Sequence, residues 1–453
     1  MGSRASKPEP EPSEGATDTP LARSTSRPGD LLNPLPPCPP GFSEHVYKRA
    51  HGVDVPLRIW PAPDAARKGK PAPWVFWVHG GEYPPACELT TGSYIGGKWS
   101  IPTVNVSVGF AARGYHVVSV GHRLTPHVGV AEVIEDLADA YVWLRAHLPS
   151  ILGDAVALDD SIIFGGSAGG TLAFNTASEE RVRAHPPRAL VFLYGAADLT
   201  DKWYHTPQDI PLPPYLLPHA ADESDLEAWV MDRDARKAIT QNPWEDEVPP
   251  KASLESLRRH LGMPGYEVTR EVLFRIDAAT YLTKLRRITA TFLRRERFPD
   301  AAEWLAERAK WSPVFIADRL DTFPPTYIMQ AEDDEYVPLY EPKKLAAKLR
   351  ERGWEVVEKY APSGGHCFDW AFTVSRGGDG DALTTRAPSR RGGRSTSTRC
   401  WISWIARLGG GGDRGGGGLG VQGGAGINCM HEEMGGGEAS PSWCDCEGRH
   451  PAS

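Results

Sequence analysis

The sequence lacks any run of about 18 apolar residues, so no segment reads as a membrane-spanning helix. It also lacks an excess of positive charge. Its 50 Lys and Arg stand against 58 Asp and Glu, a formal charge of −8 that excludes a strong phosphate-backbone binder and leaves no nucleic-acid partner expected. Cysteine is scarce at seven in 453 residues, and the odd number excludes a fully paired disulfide framework. No internal repeat is present, and the opening residues hold no apolar stretch of the kind that forms a secretory leader. These absences leave a globular protein, expected to be soluble and cytoplasmic, with 40% apolar residues to fill a core.

The two ends differ from the middle. Residues 1–40 are rich in Pro, Ser, Glu and Arg and nearly free of apolar side chains before Leu31, so the expectation is a disordered segment. Its first residues, Met1-Gly2 with Ser6, fit the N-myristoylation pattern at Gly2, but Glu9, Glu11 and Glu14 supply no basic second signal for stable anchoring. Residues 376–453 carry 21 of the 47 glycines, including Gly409–Gly412 and Gly415–Gly418. This composition reads as a low-complexity tail, or as translated sequence never selected to fold. Within it, Trp401, Ile402, Trp404, Ile405 and Leu408 share one helical face, so a docking helix over 400–408 is one expectation. Cys429 with His431, and Cys444 with Cys446, match no standard zinc spacing; no metal is expected.

Residues 41–375 alternate short apolar runs with amphipathic stretches. Strands are predicted at Val46–Lys48, Val53–Trp60, Trp74–Val78, Tyr115–Val120, Ser161–Phe164, Ala189–Tyr194, Thr326–Gln330 and Glu355–Tyr360. Helices are predicted over Val130–Leu148, where Val130, Ile134, Leu137, Tyr141, Leu144 and Leu148 share a face, and over Pro342–Arg352 ahead of Gly353. The alternation implies a mostly parallel sheet with helices on both faces. It breaks over residues 200–311, which read as a helical insertion with a Pro-rich run at Pro211–Pro218 and a helix at Leu254–Leu261.

Four motifs carry chemistry, each at the end of a predicted strand. Gly165-Gly166-Ser167-Ala168-Gly169 stands between a strand and a helix, where small neighbours let a tight turn expose the Ser167 hydroxyl. A P-loop is excluded, because no Gly-Lys-Ser/Thr follows. After His79, Gly80 or Gly81 can bring a backbone N–H up to a reacting oxygen, together with the Ala168 N–H. An acidic loop, Glu332-Asp333-Asp334-Glu335, follows the Thr326–Gln330 strand, and Gly364-Gly365-His366 follows the next. Serine, acid and histidine in that chain order suit nucleophilic catalysis in which the acid orients the imidazole and the imidazole activates the hydroxyl.

Together these motifs resemble the α/β-hydrolase superfamily, and within it the hormone-sensitive-lipase-like esterases of the fold-3 group. The stretch Gly121-His122-Arg123-Leu124-Thr125-Pro126, with Glu135-Asp136-Leu137 in the following helix, is similar to that family's segment after the oxyanion motif. The resemblance covers about residues 45–375. It implies Ser167 as nucleophile, Asp334 as acid and His366 as general base, with Gly80, Gly81 and Ala168 as oxyanion donors. Alignment of Ala331-x-x-Asp334-x-x-Val337-Pro338 with the family pattern selects Asp334, with Asp333 as the fallback. It also implies that the 200–311 insertion is a cap, and that Glu82 and Tyr83 stand at the pocket mouth as substrate-binding residues. Three departures stand out: Glu82 replaces a third glycine, Ala331 replaces a glycine, and the helix that normally follows the histidine has no clear counterpart.

The activity implied is hydrolysis of a small-molecule carboxylic ester through an acyl-enzyme, with no cofactor. Arylformamide or amide hydrolysis on the same triad is the alternative, since Tyr83 stands where such enzymes carry an aromatic. A serine exopeptidase fits less well, because the chain has no room for a propeller domain. A catalytically inactive, hydrolase-like binding protein is the reading from outside enzymology.

Overall fold

A computed structural model describes residues 41–81, 109–207, 222–240, 278, 281–282, 285–366, 368, 373–376 and 383–386. All belong to the unit Met1–Gly409; the second unit, Gly410–Ser453, lies outside the described residues. Gly2, the helix expected at 400–408 and the four cysteines of the tail also fall outside them.

Eight strands form one sheet in the order β1-β2-β4-β3-β5-β6-β7-β8. They are β1 (Ser43–Ala50), β2 (Val53–Trp60), β3 (Ala72–Val78), β4 (His116–Val120), β5 (Val156–Gly166), β6 (Ala189–Leu193), β7 (Thr326–Ala331) and β8 (Val356–Ala361). β1 and β2 form a hairpin, β2 runs antiparallel to β4, and every remaining pair is parallel. This is the α/β-hydrolase sheet, and each of its strands overlaps a run picked out by apolar patterning.

β3 explains why the sheet lies in the middle of the molecule. Its successive side chains alternate between faces, and both faces are apolar. Trp74, Phe76 and Val78 enter one core cluster, while Val75 and Trp77 enter the other. The first cluster packs under helices α1 (Val130–Leu152), α2 (Ala168–Ser178), α5 (Pro313–Asp318) and α6 (Tyr340–Glu351). The second includes Phe110 of the helical turn at 109–111, together with Tyr115 and Phe368. α1 buries the face foreseen from its periodicity and adds one charge to it. Asp136, fully buried, accepts bonds from Arg123 Nε and Nη2, both at 2.8 Å, and pairs with Lys48 of β1, also at 2.8 Å. Such a charge is tolerable in a core only when its oxygens are satisfied in this way.

Within residues 200–311 the described segments include helices α3 (Glu223–Val230) and α4 (Ala301–Trp311), and no strand occurs among the described residues. Asp300 caps α4, its Oδ1 accepting from the Ala302 and Glu303 N–H groups. Trp304 and Trp311 of α4 reach the first core cluster, so this end of the insertion is anchored on the helical layer. Pro211–Pro218 and Leu254–Leu261 lie outside the described residues. Past the last sheet strand, β9 (Thr373–Arg376) and β10 (Leu383–Arg386) pair antiparallel, an element without a sequence signal.

Register brings the chemistry to one edge. Val78 pairs with Gly165, Gly166 with Leu193, Leu193 with Met329 and Ala331 with Ala361, so five parallel strands finish together. The loops that leave them carry Gly80, Ser167, Tyr194, Asp334 and His366, at the carboxyl edge where open α/β sheets hold their ligands.

Candidate active site

Ser167 occupies a backbone conformation that few side-chain-bearing residues adopt, with φ 55° and ψ −130°. It sits between the last residue of β5 and the first of α2, and its N–H donates to the Leu193 carbonyl at 2.9 Å. The turn is compact enough to need its glycines. A Cβ on Gly165 would lie 2.0 Å from the Gly169 carbonyl oxygen, and one on Gly169 would lie 2.3 Å from the carbonyl oxygen of Val78. Strain of this kind costs on the order of 1–3 kcal/mol and persists only where the surroundings over-determine it.

His366 Nε2 is 2.9 Å from Ser167 Oγ, and His366 Nδ1 is 2.9 Å from Asp334 Oδ2. All three side chains are buried. Asp334 Oδ1 accepts from the N–H groups of Tyr336 at 2.9 Å and Val337 at 2.8 Å. With both carboxylate oxygens engaged as acceptors, the carboxylate holds the proton on Nδ1, which leaves the Nε2 lone pair facing the serine hydroxyl. The imidazole is flanked by two edge-on tyrosine rings, Tyr194 at 4.9 Å and Tyr336 at 5.4 Å between centroids.

The fallback acid has a separate position. Asp333 Oδ1 accepts from the Gly365 N–H at 2.8 Å, whereas Asp334 is the acid that meets the imidazole. The glycine loop lies against the serine turn: a Cβ on Gly80 would sit 2.5 Å from the Gly166 carbonyl oxygen, 3.2 Å from Ser167 Cβ and 3.5 Å from the Ala168 nitrogen. Gly80 and Ala168 therefore lie beside Ser167, and Gly80, Gly81 and Ala168 are all buried. Glu82 and Tyr83 lie outside the described residues.

Other residues around the site make contacts that the sequence did not specify. His79 stacks on His122, with ring centroids 4.3 Å apart and planes 11° from parallel. Both rings are fully buried, and burial pushes the His122 pKa down to about 4, so that ring is neutral at pH 7. Tyr194 packs against Gly166, Asp333 and Glu335 hold the histidine loop, and Trp203 Nε1 donates to the Tyr336 carbonyl at 2.8 Å. These are tertiary contacts between segments far apart in the chain. The acidic run 332–335 and the motifs holding His79 and His122 were visible beforehand, but their patterns do not say which atom meets which partner.

The family model described as "alpha/beta hydrolase fold" matches residues 91–258. Among curated proteins, the chain is similar to the non-reducing polyketide synthase stbA of Stachybotrys bisbyi, 31% identical over 154 residues, which cover 33% of this chain and 6% of the synthase. It is also similar to versiconal hemiacetal acetate esterase of Dothistroma septosporum, 30% identical over 181 residues, covering 39% of this chain and 49% of the esterase. The chain thus spans a small part of the synthase and about half of the esterase. Among solved structures, an alpha/beta hydrolase superfamily protein from Enterococcus faecalis aligns over 70% of this chain and 88% of its own, at 18% identity and a TM-score of 0.43. Thermogutta terrifontis esterase 2 aligns over 73% of this chain and 86% of its own, at 18% identity and a TM-score of 0.40. The strand order and the family match over residues 91–258 agree, and the chain has the α/β-hydrolase fold.

Proposed function

We propose that the protein is a serine hydrolase that cleaves small carboxylic esters through an acyl-enzyme. The observation that carries this reading is the unbroken hydrogen-bonded line from Ser167 Oγ through His366 to Asp334, starting at a strained turn. A catalytically inactive binding protein has no use for such a line. A relative named for an acetate ester supports the ester over the amide.

In the proposed reaction, His366 Nε2 accepts the Ser167 proton as Oγ attacks the substrate carbonyl carbon. The oxyanion that forms is received by backbone N–H groups of Gly80, Gly81 and Ala168 at the amino end of α2, whose dipole favours negative charge. Each such donor is worth about 3–4 kcal/mol of barrier in serine hydrolases. His366 then returns the proton to the departing alkoxide, leaving the acyl group on Ser167. Asp334 stays ionised throughout and stabilises the imidazolium that forms at each step. Water repeats the sequence on the acyl-enzyme, again with His366 as base, and frees the acid. No step requires a metal or an organic cofactor. The insertion over 200–311 serves in this reading as the cap that selects the substrate.

The test is hydrolysis of p-nitrophenyl esters from acetate to decanoate by the wild type and by Ser167→Ala. Turnover that vanishes in the variant, with labelling of Ser167 by a fluorophosphonate, supports the proposal. A folded wild type inert to every ester but active on N-formyl arylamines would move the assignment to formamide hydrolysis. A wild type that neither reacts nor takes the label would leave only the binding protein.

A further inference from the structure

The loop that carries His366 is anchored behind it by Phe368 in the second core cluster and is held ahead of it through its backbone. It leaves β8 at Ala361 and passes through Gly364 and Gly365, with φ of 141° and 71°. Two adjacent glycines give the backbone the widest conformational freedom at the point where the imidazole must be located to a fraction of an ångström.

Three successive side chains of the neighbouring loop meet this segment. Asp333 Oδ1 accepts from the Gly365 N–H at 2.8 Å, Asp334 Oδ2 pairs with His366 Nδ1 at 2.9 Å, and Glu335 Oε2 accepts from the His366 N–H at 3.1 Å. In a strand, consecutive side chains would point to opposite faces and could not converge. Here they do, because Asp334 Oδ1 takes the Tyr336 and Val337 N–H groups and curls the backbone over itself. The curled loop is braced from outside, by Trp203 Nε1 on the Tyr336 carbonyl and by Gln330 Nε2 on the Val337 carbonyl. The acidic loop is thus the rigid partner and the glycine loop is the one being located. Gly365 also leaves room for the contact, since a Cβ there would lie 2.9 Å from Glu335 Oε2.

From this arrangement we infer that Asp333 and Glu335 are positioning residues that clasp the histidine loop by its backbone and set the distance from His366 to Ser167. The inference rests on the serine-hydrolase reading and deepens it. Adjacent carboxylates repel one another, and within the run of four acids at 332–335 Asp333, Asp334 and Glu335 each have a compensating contact. Both positioning side chains are exposed, which makes them unnecessary to the core and open to substitution.

The experiment compares wild type with Asp333→Ala, Glu335→Ala, the double alanine variant and the double variant Asp333→Asn with Glu335→Gln, using p-nitrophenyl butyrate. Misplacement of a reacting group by about 1 Å can cost roughly 100-fold in rate, so the double alanine variant is expected to lose about 10- to 100-fold in kcat. KM should stay within about twofold and the melting temperature close to that of wild type, because neither side chain binds substrate or fills the core. The asparagine–glutamine variant should recover most of the loss, since its amide oxygens still accept from the two N–H groups. A double alanine variant with wild-type kcat would overturn the clasp while leaving the hydrolase reading intact, as would a loss confined to KM or one not restored by the amides. An inert, unlabelled wild type would overturn the hydrolase reading and the clasp together.

Discussion

Glu341 lies in the first turn of α6, fully buried, and joins that helix to the segment leaving β6. Its Oε2 accepts from the Ala197 N–H at 3.0 Å and the Asp198 N–H at 2.8 Å. Burial, reinforced by the nearby charges of Asp198 and Asp201, raises its pKa from 4.5 to about 7 against the opposing pull of the two N–H bonds. The folded protein therefore holds this proton more tightly than the unfolded chain does. The stabilisation linked to it is complete below about pH 4.5 and is lost as pH rises through about 7. A difference of 2.5 units corresponds to about 3 kcal/mol, withdrawn between those limits. Glu341→Gln keeps an oxygen for the two backbone donors and removes the charge. The amide carries its own burial cost, so the variant is expected to exceed wild type by on the order of 2 kcal/mol at about pH 8.5 and to match it near pH 5. Urea midpoints at the two pH values, with unchanged m, measure this directly. An equal shift at both pH values, or a variant less stable than wild type at the higher one, would refute the reasoning.

Other consequences can be checked with the same preparations. His122 has the opposite linkage, because its pKa falls from 6.5 to about 4 on folding; stability present above pH 6.5 is lost as pH drops through about 4, by roughly 3 kcal/mol. His122→Phe, which can still stack on His79, should flatten that acid loss, and parallel midpoint-against-pH curves for variant and wild type would count against it. Gly165→Ala forces a Cβ to within 2.0 Å of the Gly169 carbonyl oxygen and should cost about 3 kcal/mol or more, seen as a lowered melting temperature together with lost turnover. Asp334→Asn should lower kcat by about 10⁴-fold with little change in melting temperature, because an amide NH₂ can impose the wrong imidazole tautomer; a drop of less than tenfold would remove Asp334 from the proposed triad.

Much of the fold was legible in advance because its signals are local. The run Trp74–Val78 is apolar on both faces, which only a doubly covered strand can use, and the Val130–Leu148 periodicity marks a helix laid on a sheet. The serine turn was equally legible, since glycine on both sides of a serine between a strand and a helix is a steric requirement that composition records. The insertion at 200–311 was harder to read. Its helices draw stability from contacts such as Trp304 and Trp311 on the core, and those contacts leave no periodic mark strong enough to set boundaries. The β9–β10 hairpin had no signal at all in a Gly- and Ser-bearing stretch.

By itself, then, the sequence determined the layered α/β architecture and singled out Ser167, His366 and an acidic loop as candidates, because strand burial, helix faces and tight turns are properties of neighbours in the chain. Tertiary structure decided which of two adjacent aspartates faces the imidazole, and that the other takes a backbone N–H instead. It also decided that His79 stacks on His122 and that Glu341 is buried against the end of β6. Those outcomes depend on distances between segments brought together only when the sheet closes, and on the low polarity of the interior they then share. No local pattern of residues encodes either quantity.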